Sequence, residues 1–146
     1  MPPSLVQKIE IKKTTVVIVD DNDIMRALLR GMLRAEKEFE VVGEAGNGEA
    51  GVELVKRLEP QIVCMDVMMP VMTGIDALRE IRKELPRTAV VMITGNASAE
   101  NVQESVQNGA AGFIVKPFNA DKVLKTMTAV RNTLKDRAEK TNGNGG

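Results

Sequence analysis

Apolar residues in this chain come in short runs, each followed by an amphipathic stretch, and the two patterns alternate five times. TTVVIV at 14–19 is apolar without a polar face, the pattern of a strand covered on both sides in a parallel sheet. After Asn22 the spacing changes. Ile24, Leu28 and Met32, with Met25, Leu29 and Leu33 beside them, fall at i, i+4 intervals and predict a helix with an acidic first turn. FEVVGEA (39–45) predicts a second strand, and NGEAGVELVKRLE (47–59) a helix with Leu54, Val55 and Leu58 inward. QIVCM (61–65) is a third strand, followed by a helix in TGIDALREIRKEL (73–85) on Ile75, Leu78, Ile81 and Leu85. TAVVMIT (88–94) is a fourth, followed by a weaker helix in SAENVQESVQNG (98–109) that Gly109 closes. GFIV (112–115) is the fifth, and a last helix starts near Asn119 with Val123, Met127, Val130 and Leu134 on one stripe. Five strands alternating with five helices predict an α/β, doubly wound three-layer sandwich, because right-handed crossovers place helices on both faces of a parallel sheet.

The ends break the pattern. Residues 1–13 form a polar leader with Pro2 and Pro3, and 138–146 read as a disordered tail or a linker stub, leaving 14–137 as the domain. A chain of 146 residues, 43% hydrophobic, supports one core and not two. Lysine plus arginine and aspartate plus glutamate both total 20, so overall charge argues for neither nucleic acid nor an anionic membrane as a partner. No apolar run approaches the ~20 residues of a membrane span, and the leader lacks the apolar centre of a signal peptide, so a cytoplasmic protein is expected. One cysteine and no histidine exclude an internal disulfide and the usual zinc, haem, Ser-His and Cys-His sites. Cys64 reads as a small buried hydrophobe.

Chemistry is left to carboxylates, lysines, hydroxyls, backbone amides or a borrowed metal. Polar groups stand just past the apolar strand residues: Asp20 and Asp21 after the first strand, Asp66 after the third, Thr94 after the fourth, Lys116 and Pro117 after the fifth. Ligands of open α/β sheets bind at that carboxyl rim, where strand order reverses. A lone acid there is commonly a turn former or helix cap. Several on one rim are different, since two unit charges about 4 Å apart repel by about 4 kcal/mol at an effective dielectric near 20. Crowded carboxylates ask for a divalent cation, and all-oxygen ligands suit magnesium or manganese.

VDDND, MDVMMP, MITGNA and FIVKPF, each after a strand and in this order, resemble the receiver domain of two-component response regulators over roughly residues 14–135. The resemblance implies the strand order 2-1-3-4-5. It makes Asp66 the phosphoacceptor, Asp20 and Asp21 the acidic pair for Mg²⁺, and the Met68 carbonyl a further metal ligand. Thr94 and Lys116 would contact the phosphoryl group, Phe113 matches the aromatic switch position that pairs with Thr94, and Pro117 would follow a cis peptide. Phosphorylation would draw Thr94 inward and turn Phe113, reshaping the surface of the fourth helix, fifth strand and fifth helix for a downstream protein. MMP reads as an apolar shoulder that limits water near the acyl phosphate. Met68 and Asn96 flank the water path, and because Met68 cannot orient water, slow self-dephosphorylation is expected.

The implied partners are a sensor histidine kinase or phosphotransfer protein and a protein effector, with no direct nucleic acid, no membrane, and a homodimer formed on phosphorylation as a further expectation. Such a chain is not an enzyme toward other substrates; it catalyses only its own phosphorylation and dephosphorylation. It is either a stand-alone receiver or one excised from a longer regulator. Three rivals have specific weaknesses. An aspartate-nucleophile phosphohydrolase would use Asp21 and Asp23, but Met25 stands where it needs a hydroxyl and no cap insertion is visible. A flavin or nucleotide module wants a phosphate-cradling amide loop where this chain has DDND. A degenerate receiver acting only as a binding module would not need the full residue set.

Overall fold

The computed structural model describes residues 12–96 and 98–144. Five strands, β1 (Thr14–Val19), β2 (Phe39–Ala45), β3 (Ile62–Asp66), β4 (Ala89–Thr94) and β5 (Gly112–Val115), form one parallel sheet in the order β2-β1-β3-β4-β5. Five helices alternate with them: α1 (Asp23–Arg34), α2 (Gly48–Leu58), α3 (Gly74–Glu84), α4 (Ala99–Gln107) and α5 (Ala120–Asn144). The predicted fold class and strand order both stand.

Strand parity divides the core. Val16 and Ile18 join Leu29 and Leu33 of α1 and Val123, Met127 and Val130 of α5 on one face. Val17 and Val19 join Val52 and Val55 of α2 and Ile75, Leu78 and Ile81 of α3 on the other. The central strands β1, β3 and β4 therefore bury consecutive side chains, which is why their sequences are nearly all apolar, whereas the edge strands β2 and β5 are only partly buried. Helix starts are capped by side chains: Asn22 accepts from the Ile24 and Met25 amides, Asn47 from Ala50, Thr73 from Asp76 and Ser98 from Asn101. Among the described residues no helix is long and apolar enough to cross a membrane.

Three details depart from the sequence reading. In α1 only Leu29 and Leu33 are buried, whereas Ile24 and Leu28 are exposed, because a helix on a sheet buries one stripe and this one carries two. In α2 Val52 and Val55 are buried and Leu54 packs against the same face partly buried, as expected, whereas Leu58 lies over Gly43 but is 39% exposed; Gly51 lies so close to Val19 that any Cβ would collide with it. Of the tail expected at 138–146, residues 138–144 continue α5 as helix through Asn144. Residues 135–141, KDRAEKT, contain no Gly or Pro, so intrinsic propensity does not stop the helix there. Residues 145–146 and positions 1–11 of the expected leader lie outside the described residues.

Candidate functional site

Because β1 and β3 are neighbours while their chain connections diverge, their carboxyl ends open a crevice. Asp20 follows β1 and Asp66 ends β3, and both are nearly buried, at 1% and 5% exposure. Asp21, beside them, is exposed. One carboxylate oxygen from each of Asp20, Asp21 and Asp66 lies within 4.8 Å of the others. Lys116, just past β5, places Nζ 3.1 Å from Asp20 Oδ2 and 3.6 Å from Asp66 Oδ1. Two strand-end acids, one exposed acid and one lysine thus converge from three separate parts of the chain.

Local bonds fix these groups. The Asn22 amide donates to Asp20 Oδ1 at 2.8 Å, and Arg26 Nη1 donates to the Asp20 carbonyl at 2.7 Å. Arg26 was not legible as a site residue; its only sequence signal is a cation one helical turn past DDND. Gly74 was missed too. Its amide donates to the Val67 carbonyl at 2.9 Å, and a Cβ there would overlap the Asp66 carbonyl oxygen, so the start of α3 rests directly on the backbone of Asp66.

Burial pushes the Asp66 carboxyl up from 3.8 to about 6, and the Asp20 charge adds to the rise; Lys116 and the Met68 amide oppose it, and Asp21 raises it further. The ionised carboxylate is thus held at a cost in the bare chain. A cation among the three acids would offset that cost, and a hard, all-oxygen donor set of this kind fits Mg²⁺.

The remaining expected residues divide. Thr94 ends β4 fully buried, and its hydroxyl accepts from the Asn96 amide at 3.1 Å and lies 3.4 Å from the Asn96 carbonyl. The Lys116 amide donates to the Thr94 carbonyl at 2.7 Å, so the hydroxyl and the ammonium sit on paired backbone. Phe113 pairs with Met92 across β4 and β5 and is half-buried against the α2–α3 face of the core. The Lys116–Pro117 peptide is cis. The apolar shoulder needs correction: Met68 is 61% exposed and touches the site through its amide, while Met69, at 6%, turns into the core. Alternation after β3 sends one methionine each way, which composition alone could not tell.

Sequence comparison matches residues 16–128 to the family described as the response regulator receiver domain. Protein CcdB of Bacillus subtilis is 42% identical over 117 residues, covering 80% of this chain and 97% of that protein. The chemotaxis protein CheY of Thermotoga maritima is 41% identical over 115 residues, covering 79% and 95%. Against two curated transcriptional regulators the match spans only about half their length, 56% and 52%. Among solved structures, the CheX-CheY-BeF3-Mg²⁺ complex from Borrelia burgdorferi aligns with a TM-score of 0.77 at 31% identity, covering 80% of this chain and 88% of that one.

Proposed function

Because this chain belongs to the response regulator receiver domain family, we propose that it is a phosphoacceptor switch, phosphorylated on Asp66 and read by a protein partner. The observation that carries this reading is the packing of Asp66 against Asp20, Asp21 and Lys116 at the reversal point of the sheet. A structural acid at a strand end needs one cap or one cation. It does not need two further acids within reach.

In the proposed reaction an Asp66 carboxylate oxygen attacks the phosphorus of a phosphorylated histidine or a small phosphodonor. A P–O bond to Asp66 forms as the donor's bond to phosphorus breaks, and the leaving group departs with that electron pair. Asp20, Asp21 and Asp66, with the Met68 carbonyl as a further ligand, would hold Mg²⁺, which would neutralise charge at the site. Lys116 already faces the Asp66 oxygen, so its ammonium can follow the charge onto a phosphoryl oxygen. The Met68 amide hydrogen-bonds the Asp66 carboxylate, which orients the nucleophile. The crystallised relative contains Mg²⁺ and BeF3 together with CheX, which supports a metal-dependent site and a protein partner for this chain.

The signal would leave through Thr94. Its hydroxyl is spent on the Asn96 backbone, and a phosphoryl group on Asp66 offers better acceptors. Drawing it inward moves the β4–α4 loop and frees space for half-buried Phe113, changing the α4–β5–α5 surface. A sensor kinase or phosphotransfer protein would act as donor.

Intact mass after incubation with Mg²⁺ and acetyl phosphate tests the reading. Wild type gains one phosphoryl group and Asp66→Ala gains none; equal gain in both, or none in either, rejects it.

A further inference from the structure

The amino-terminal pole of the sheet carries a second charged cavity, unrelated to the acidic rim. Its volume is about 440 Å³, and its walls include Lys12, Lys13, Thr14, Arg131, Leu134 and Lys135. Thr14 opens β1 and Asp20 follows its end, so at about 3.3 Å per residue the two sites lie roughly 20 Å apart. A phosphoryl group on Asp66 does not reach this cavity.

Four cations and no carboxylate line the cavity among the described residues. Arg131 is the informative one. It is only 9% exposed, and its hydrogen-bond partner is a neutral one: Nε donates to Thr14 Oγ1 at 3.0 Å. Among the described residues no acid pairs with Arg131, Lys12, Lys13 or Lys135. A guanidinium stays charged at any physiological pH, and removing a charge from water without an opposite charge beside it is costly. No buried side-chain polar atom among the described residues lacks a partner, so the terminal nitrogens of Arg131 retain access to the cavity. With Nε pinned, those nitrogens form a fixed fork that matches two oxygens of one anion.

The geometry points to a binding site for a small phosphorylated molecule, anchored by Arg131 and ringed by Lys12, Lys13 and Lys135. Four positive side chains lining one cavity favour a phosphate dianion over a single carboxylate. The volume falls in the range of pockets for small organic ligands, and Leu134 gives the organic part an apolar wall. A nucleic acid fits less well, since the cations line a recess and the chain carries no net positive charge.

Amide NMR titrations of the full chain with inorganic phosphate, with AMP and with a short DNA duplex, all at low salt, test this site. Saturable shifts at Thr14, Thr15, Gln61 and Arg131 are expected with phosphate or AMP. In the surface pair Lys12→Gln/Lys135→Gln the affinity should fall at least about tenfold. Arg131→Lys keeps the charge but loses the fork and should weaken binding as well; if that variant unfolds, the lysine pair still decides. Shifts confined to the Asp66 rim, shifts that never saturate, an affinity unchanged in the lysine pair, or binding of the duplex without binding of either small probe would overturn the site.

Discussion

Asp66 is ionised at neutral pH against the preference of its own surroundings. Its folded value near 6 stands above 3.8, so between those values an unfolded chain releases the proton that the folded chain retains. Raising the pH through this window therefore removes stability, and the full cost persists above it. Asp66→Asn keeps the shape and deletes the charge. With chelator present, denaturant titrations should find Asp66→Asn more stable than wild type by about 1–2 kcal/mol at pH 7, discounted for the rim's open side, with the gap closing toward pH 4. A gap independent of pH would refute the burial argument. Met68 supplies a second test at this scale. It faces solvent beside the acceptor, where an asparagine could orient water that a thioether cannot. Phosphorylated Met68→Asn should lose its phosphoryl group roughly three- to tenfold faster by intact mass. Equal decay would show that Met68 does not limit the rate of dephosphorylation.

Elements place these residues, and they were legible to unequal degrees. The central strands could be read because burial on both faces forces consecutive apolar residues, and the polar residues just past β1, at the ends of β3 and β4 and just past β5 marked the rim directly. Helix faces were harder: Ile24 and Leu28 continue a stripe as apolar as the buried one, and nothing local says which stripe meets the sheet. Arg26 and Gly74 escaped because their roles are to backbone. A carbonyl of Asp20 and a carbonyl of Asp66 leave no mark in sequence patterning. Gly74 yields the element-scale prediction. Since the first turn of α3 abuts Asp66 through a hydrogen as its only side chain, Gly74→Ala must push helix and strand end apart. The loss of unfolding free energy, read from denaturant titrations, should be about 2–3 kcal/mol, with a reduced rate of phosphorylation by acetyl phosphate in the folded fraction. An alanine variant of unchanged stability and rate would show that the contact relaxes freely.

The whole molecule balances its charges, 20 against 20, yet the sheet topology gathers a local excess at one rim. Three carboxylates face one ammonium; Lys116 hydrogen-bonds Asp20 at 3.1 Å and forms a looser ion pair with Asp66 at 3.6 Å, so it serves as an internal counterion for the bare chain. One ammonium leaves two negative charges uncompensated, which is the charge a single divalent ion carries. Binding to the folded state alone adds stability by mass action, about 1.4 kcal/mol at ten times the dissociation constant. For a domain of this size that amounts to a melting-temperature rise of roughly 3–5 °C. Differential scanning calorimetry should show this rise with millimolar Mg²⁺ in wild type and lose it with chelator or in Asp20→Asn. Lys116→Ala should respond to Mg²⁺ at least as strongly as wild type, because removing the competing ammonium leaves the acids more dependent on the metal. A weaker response in that variant would mean that lysine and ion cooperate and do not compete, and the electrostatic account of the rim would have to be rebuilt around a shared ligand.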